Sequence, residues 1–299
     1  MSTDQDFTLD RRVIRRHGQA HAATALAERD KPADPHFLNR EVASRMAERL
    51  ALIRYQPTRI LDIGCGTGAD FALLGQHYPD ALLSGVNLCE ALLPRPARTG
   101  WLQRILGPKT GPQGICADAE QLPIKRSSMQ MVWSNLMLNW LHDPLPALRE
   151  MHRVLEVDGM LMFSTLGPDT LRELRGVLDS QSGERVHRFI DMHDLGDALV
   201  KAGFAEPVMD METITLTYQD IDALLRDLRL AGAANASTRR PRGLSGKQGW
   251  QAARDRYEQL RRDGRLPATF EIVYGHAWKA ASKQTEDGRA VIQFRKRDK

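Results

Sequence analysis

The residues best suited to chemistry in this 299-residue chain cluster around one short glycine run. Leu61-Asp-Ile-Gly-Cys-Gly-Thr-Gly68 places glycines at 64, 66 and 68, directly after an apolar stretch. Glycine tolerates positive φ and lets a ligand approach the backbone closely. The spacing is G-x-G-x-G and matches neither phosphate-cradling pattern, G-x-G-x-x-G or G-x-x-x-x-G-K-[ST]. Asp62 adds to the contrast. A carboxylate there repels a pyrophosphate but attracts a sulfonium or an ammonium group, so a zwitterionic amino-acid cofactor fits better than a dinucleotide. The three cysteines, Cys65, Cys89 and Cys116, are too few and too odd in number for a disulfide framework. They read as reduced thiols of a cytosolic protein that pack as small apolar residues. No metal is expected. His142 and His152 have no second ligand at i+4, and His17, His21 and His36 form no metal-spaced set.

The elements that must position the glycine run follow from apolar spacing. Leu38, Val42, Met46, Leu50 and Ile53 recur at helical intervals, which predicts an amphipathic helix over 38–55 behind a basic leader carrying Arg11, Arg12, Arg15 and Arg16. Ile60–Ile63 reads as a buried strand and 69–77 as a helix. Further strands are expected at 82–86, 114–117, 129–134 and 160–165, with a helix at 146–155 and a loop or broken helix over 94–114. This strand–helix alternation implies a parallel sheet covered on both faces. The second half predicts a helix at 193–202 closed by Gly203, a long strand at 206–218, helices at 221–230 and 247–262, and a strand at 268–278. One more short strand is possible at 291–294. The expected fold is α/β: a doubly wound, mostly parallel seven-stranded sheet with a helical insert near the C-terminus. The chain divides into a leader and helix (1–55), a cofactor-binding core (56–166) and a C-terminal half (167–299) with its insert at about 219–265.

The glycine run does not stand alone. LDIGCGTG resembles the first motif of the class I S-adenosylmethionine-dependent methyltransferases. Gly85-Val-Asn-Leu88, Cys116-Ala-Asp-Ala-Glu-Gln-Leu-Pro123, Val132-Trp-Ser-Asn-Leu136 and Leu148-Arg-Glu-Met-His-Arg-Val-Leu155 follow in the order of that superfamily. The resemblance implies S-adenosylmethionine as cofactor. It places Gly64, Cys65, Gly66, Thr67 and Gly68 around it, with Asp62 near its amino-acid end and Asn87 and Leu88 at the ribose. Asp118 and Ala119 belong at the adenine, and Asn135 on the loop after the fourth strand. Two positions depart from the pattern. The ribose residue is an amide, Asn87, which lacks the charge and bidentate acceptance of a carboxylate. Gln130 stands where relatives often carry Asp.

The C-terminal half bears on the acceptor. Trp133–Trp140, Phe163–Leu174, Leu225–Asn235 and Leu266–Gly275 are similar to the malonyl-acyl-carrier-protein O-methyltransferases of biotin synthesis, and with the core the similarity spans about residues 40–280. That family esterifies the free carboxylate of a malonyl thioester, on carrier protein or coenzyme A. A carboxylate is already ionised at pH 7 and needs no general base. It needs a cation to position it, ideally a bidentate guanidinium. Arg229 is the first candidate, then Arg226 and Arg172. Trp140, Asn235 and Tyr274 are substrate-side candidates. Ser134-Asn-Leu-Met137 is not the Asn/Asp-Pro-Pro-Tyr motif of amino-group methylases. Relatives carry an aromatic N-terminal segment that closes over the cofactor, whereas residues 8–35 here contain no Phe, Tyr or Trp.

Two other readings stay open. The Pro267-Ala-Thr-Phe270 segment and the Gly–Trp ending also resemble a mitochondrial complex I assembly factor that hydroxylates protein arginine. Asn87 and the unusual N-terminus are compatible with a non-catalytic module of weak cofactor affinity.

Composition narrows the class. Hydrophobic residues at 42% and charged residues at 27% are ordinary for a globular chain and exclude disorder. No apolar run approaches the ~18 residues of a membrane span. Met1-Ser-Thr-Asp-Gln-Asp-Phe7 has no secretory pattern, so a cytoplasmic protein is expected. The net charge of +4 hides a local contrast. Arg239–Arg265 carries nine Lys/Arg against three acids, while Glu206–Asp227 carries six acids and one Arg. Such a basic insert suits an acidic carrier protein as partner. Without interleaved aromatics it makes nucleic acid an unlikely one.

Overall fold

The computed structural model describes residues 8–27, 36–94, 113–178, 184–241 and 246–281. Its centre is strand β1 (Arg59–Ile63), flanked in parallel by β2 (Leu82–Asn87) and β4 (Met129–Ser134). Strand β3 (Gln113–Cys116) extends the sheet beyond β2, and β5 (Leu155–Leu166) extends it beyond β4, both in parallel. The C-terminal half adds β6 (Ala205–Tyr218) and β7 (Leu266–Trp278). The seven strands run in the order β3-β2-β1-β4-β5-β7-β6, with β7 antiparallel to both neighbours. The chain leaves β1 first toward β2 and β3, then returns to β4 on the other side. The carboxyl ends of β1 and β4 therefore border the topological switch point, where open α/β sheets bind ligands.

The central strands read as continuous apolar runs because both faces are covered. Successive side chains alternate between two cores. Ile60, Met131, Trp133 and Met162 point into one core, and Leu61, Val132, Leu161 and Phe163 into the other. The first core is closed by α2 (Phe37–Leu50), α5 (Arg172–Leu178), α7 (Ile221–Leu230) and α8 (Lys247–Glu258). The second is closed by α4 (Leu145–Val154) and α6 (Met192–Ala202). Helix α3 (Phe71–His77) packs beside β2 and α2.

Local chemistry accounts for several boundaries. Asp191 and Asp220 cap α6 and α7 by accepting from His193 N and Ala223 N, each at 2.8 Å. Gly203 ends α6 at φ +101°, a left-handed cap that glycine adopts without strain. Gln130 Oε1 accepts from Thr58 N at 2.6 Å, so this departure from the superfamily pattern ties β4 to the start of β1.

The structure differs from the sequence reading in several elements: helix α2 ends at Leu50 rather than at 55, and α5 (Arg172–Leu178) forms where the sequence reading placed no helix. β5 begins at Leu155, not 160. Asp158 (φ +62°) and Gly159 form an irregularity within the strand, held by reciprocal backbone bonds to Lys279 at 2.8 and 2.9 Å. Helix α8 ends at Glu258, four residues early. The basic leader is itself helical: α1 spans Arg11–Ala27. Its few apolar positions carry little periodic signal, and its partners are supplied by the tertiary fold. The expected strand at 291–294 and most of the loop at 94–114 lie outside the described residues.

Candidate active site

The glycine run opens directly from β1. Gly64, Gly66 and Gly68 all have positive φ, at +86°, +51° and +78°. Gly64 N and Cys65 N both donate to Val86 O, at 2.8 and 3.1 Å, which fastens the loop to β2. A Cβ on Gly64 would stand 2.5 Å from Met137 Cβ, so the close approach also demands glycine. Thr67 is exposed at the tip of the loop. Cys65 is buried, and burial pushes its thiol well up, so it stays protonated. Cys89 is also buried, while Cys116 is exposed.

Asp62 is only 2% exposed, and its Oδ2 has no hydrogen-bond partner. Burial, assisted by the nearby Asp70 carboxylate, raises its pKa well above the usual carboxylate range. An orphaned buried carboxyl beside a glycine loop suits a cation brought in by a ligand.

Outside the switch point lies a crevice of about 100 Å³. Gly64, Asn87, Leu88, Asp118 and Ala119 line it, as do Arg11 and Ile14 of α1. Asp118 Oδ1 accepts from Glu120 N at 3.0 Å and from Arg11 Nη2 at 2.9 Å. The Asn87 amide donates to Cys89 O at 3.0 Å, which leaves its oxygen directed elsewhere. Asn135 does not line the crevice. Its amide donates to Asp70 Oδ2 (3.1 Å) and to Asn39 O (3.0 Å), and its oxygen accepts from Ser164 Oγ (2.9 Å). With Trp133 Nε1 donating to the same Asp70 oxygen at 2.9 Å, Asn135 belongs to a polar network that braces β4 against α2 and α3.

A second, larger cavity of about 300 Å³ adjoins it, walled by α2, α5, α7 and the segment after α7. Trp140 borders both spaces. Arg229 and Asn235 line the larger one, together with Arg185, His187 and Asp227. The Asn235 amide donates to Glu184 O at 2.7 Å and its oxygen accepts from Ser237 N at 2.8 Å, so this side chain shapes the wall. His187 stacks against Phe189 and Trp140, with ring centroids 4.6 and 5.7 Å away. Burial, with Arg175 and His17 nearby, lowers its pKa to about 4, which keeps the imidazole neutral. Burial also holds Asp227 above its ordinary value.

Three expected substrate-side residues lie elsewhere. Arg226 is exposed and Arg172 is 57% exposed and paired with Asp169 at 3.3 Å; neither lines the cavity. Tyr274 is buried within β7, with the Arg49 guanidinium 3.8 Å over its ring. Sequence reasoning missed Arg11, Arg185 and His187. Arg11 sat in a leader without an assigned element, and the other two fall in an irregular stretch with no periodic signal. Among the described residues, no cluster of His, Cys, Asp and Glu could hold a metal ion, and no helix is long and apolar enough to cross a membrane.

Residues 61–163 match the family described as "Methyltransferase domain". The malonyl-[acyl-carrier protein] O-methyltransferase of Laribacter hongkongensis is 52% identical over 279 residues, covering 90% of this chain and 92% of the relative. That of Gallionella capsiferriformans is 45% identical and covers 96% and 97%. The chain belongs to the malonyl-[acyl-carrier protein] O-methyltransferase family. It is therefore a methyltransferase dependent on S-adenosylmethionine, which favours the methyl-transfer reading over the arginine-hydroxylase-like and non-catalytic ones. Solved structures agree at the level of fold alone. The YcgJ protein of Bacillus subtilis (TM-score 0.52, 19% identity) covers 81% of this chain and 100% of its own. The [4+2]-cyclase SpnF (TM-score 0.50, 20% identity) covers 84% and 86%. A cyclase on this scaffold shows that fold alone does not set the reaction.

Proposed function

We propose that the chain esterifies the free carboxylate of a malonyl group carried by an acyl carrier protein, as a step in biotin precursor synthesis. The observation that carries this reading is Trp140, the side chain that borders both the glycine-loop crevice and the larger cavity where Arg229 stands. A donor in the first space and an acceptor in the second then meet across one residue, which is the proximity an in-line displacement needs.

Roles follow from the surroundings. The positive-φ glycines give a methionine-type ligand close access to the backbone, and the orphaned Asp62 carboxyl answers its cationic amino-acid end. Leu88 and Ala119 cover the apolar faces of the ligand, while Asn87 meets ribose hydroxyls and Asp118 an adenine amino group. The bound cofactor supplies a methyl group on a sulfonium sulfur. On the acceptor side, Arg229 holds the malonyl carboxylate by a charge-assisted hydrogen bond. The neutral His187 adds no competing charge, and no base is required because the nucleophile is already an anion. The apolar walls around Leu136, Leu166 and Phe270 exclude water from the transfer.

The test is incubation with S-adenosylmethionine and malonyl-carrier protein, malonyl-coenzyme A or free malonate, followed by mass spectrometry of the acceptor. A methyl ester on malonyl-carrier protein is expected. Failure to form it, with the cofactor shown to be bound, would overturn the proposal.

A further inference from the structure

Helix α1 has two chemically distinct faces. Val13, Ile14 and His17 turn inward, Val13 packing with Leu9 against Ala236 and Trp140. Backbone bonds fasten the preceding strand-like turn to the wall of the larger cavity: Asp10 N to Ala236 O at 2.8 Å and Thr238 N to Thr8 O at 3.0 Å. The outward face carries Arg12, Arg15 and Arg16, all exposed. Among the described residues, no carboxylate forms an ion pair with any of the three. The basic insert behaves differently. Arg240 pairs with Asp10, Arg254 with Asp222 and Arg261 with Glu258, and Arg256 donates to Val177 O. Four insert cations are thus answered from within the fold, while Lys247, Arg262 and Arg265 are exposed; on α1, among the described residues, none of the three outward cations has a carboxylate partner.

We propose that the outer face of α1, continued by the exposed Arg226 of the neighbouring α7, is the surface on which the acidic carrier protein docks. The inference rests on the carrier-protein reading above and locates it. A row of unanswered guanidiniums attracts an acidic partner and raises its encounter rate. Its position suits delivery: α1 is tied to residues 236–238, next to Ala233, Ala234 and Asn235 on the cavity wall. A partner seated there can feed its acyl arm over a short path toward Arg229. Docking on the far side of α8 would not.

The experiment compares two triple variants with equal change of charge. One is Arg12→Glu, Arg15→Glu and Arg16→Glu. The other is Lys247→Glu, Arg262→Glu and Arg265→Glu, which reverses exposed cations of the insert. Each is assayed with malonyl-carrier protein and with malonyl-pantetheine, which carries the same reacting group without the protein. The α1 triple is expected to raise KM for malonyl-carrier protein tenfold or more, leaving malonyl-pantetheine turnover and cofactor affinity within twofold. The insert triple should leave all three within twofold. An unchanged KM in the α1 triple, or an equal rise in both, overturns the docking site. Should the α1 triple lose cofactor binding, the Gln versions of the same three positions and anisotropy binding of labelled carrier protein decide by the same criterion. A wild-type protein that methylates malonyl-pantetheine but shows no preference for, or binding of, carrier protein instead sinks the carrier reading itself.

Discussion

Arg11 Nη2 lies 2.9 Å from both carboxylate oxygens of Asp118, so one guanidinium nitrogen bridges the acid that lines the glycine-loop crevice. The same nitrogen reaches Glu120 at 3.0 Å. Because α1 also rests on the Cys89–Leu92 turn after β2, this contact fastens a helix across the mouth of the crevice. A carboxylate has enough lone pairs to accept from Arg11 and from an adenine amino group together. The latch should therefore retain the cofactor. Arg11→Ala is expected to raise the cofactor Kd about two- to fivefold, as suits a half-exposed pair, through faster dissociation. Stopped-flow displacement checks this; an unchanged dissociation rate rejects the latch.

Arg229 is the one clamp candidate from the sequence that lines the larger cavity. Losing a charge-assisted hydrogen bond to the acceptor costs about 1.5–3 kcal/mol, or about 10- to 100-fold in kcat/KM. Arg229→Ala should show that loss with malonyl-carrier protein while cofactor affinity holds. Arg172→Ala, by contrast, removes an exposed residue already paired with Asp169 and should stay within twofold. Steady-state kinetics of the two variants separates them, and equal losses would place the clamp elsewhere.

With Asp62 in the proposed role at the cationic end of the cofactor, binding is expected to depend on pH. Its folded-state pKa lies above the ordinary carboxylate value because it is buried and near Asp70. A raised acid binds its proton longer in the folded state than in the unfolded chain. The unliganded protein therefore loses stability as pH rises from the ordinary carboxylate range toward the folded value. Asp62→Asn cannot ionise, so its melting temperature should fall less than wild type between pH 5 and pH 8. The same variant should bind S-adenosylmethionine at least about tenfold more weakly, since a buried charge partner is removed. Thermal melts and calorimetry measure both; parallel melting curves would remove Asp62 from this role.

The parts that sequence made legible are those built from local rules. Alternating apolar residues in the central strands, Gly203 as a helix stop and the glycines after β1 each carry a physical signature within a few residues. The acceptor side was less legible. Tyr274 reads as a functional aromatic in a distinctive segment, yet strand pairing of β7 with β5 and β6 buries it. Arg226 and Arg229 are one helical turn apart and look equivalent; only the packing of α7 against the sheet sends Arg229 to the cavity. Asn135 sits in the expected motif, but its amide is engaged by Asp70 and Ser164, residues 65 and 29 positions away. Such choices are set by contacts distant in sequence, which no local pattern encodes.

His187 offers the last test. It is 6% exposed, on the cavity wall, and its pKa of about 4 lies below the ordinary 6.5 because burial, then Arg175 and His17, disfavour the imidazolium. The sign is that of a base with a lowered folded-state pKa. Below pH 6.5 the unfolded chain takes up a proton that the folded state refuses. Stability is therefore complete above pH 6.5 and is lost as pH falls toward 4. A gap of that size corresponds to about 3 kcal/mol at the acid end. His17, His36, His152 and His276 are also lowered by burial, and they remain in a His187→Phe variant. The difference between the two proteins then isolates His187. Urea unfolding at pH 7 and pH 4.5 should show a smaller acid loss in the Phe variant, which keeps the ring contacts to Trp140 and Phe189. An equal loss in both proteins would mean that His187 does not titrate against the fold.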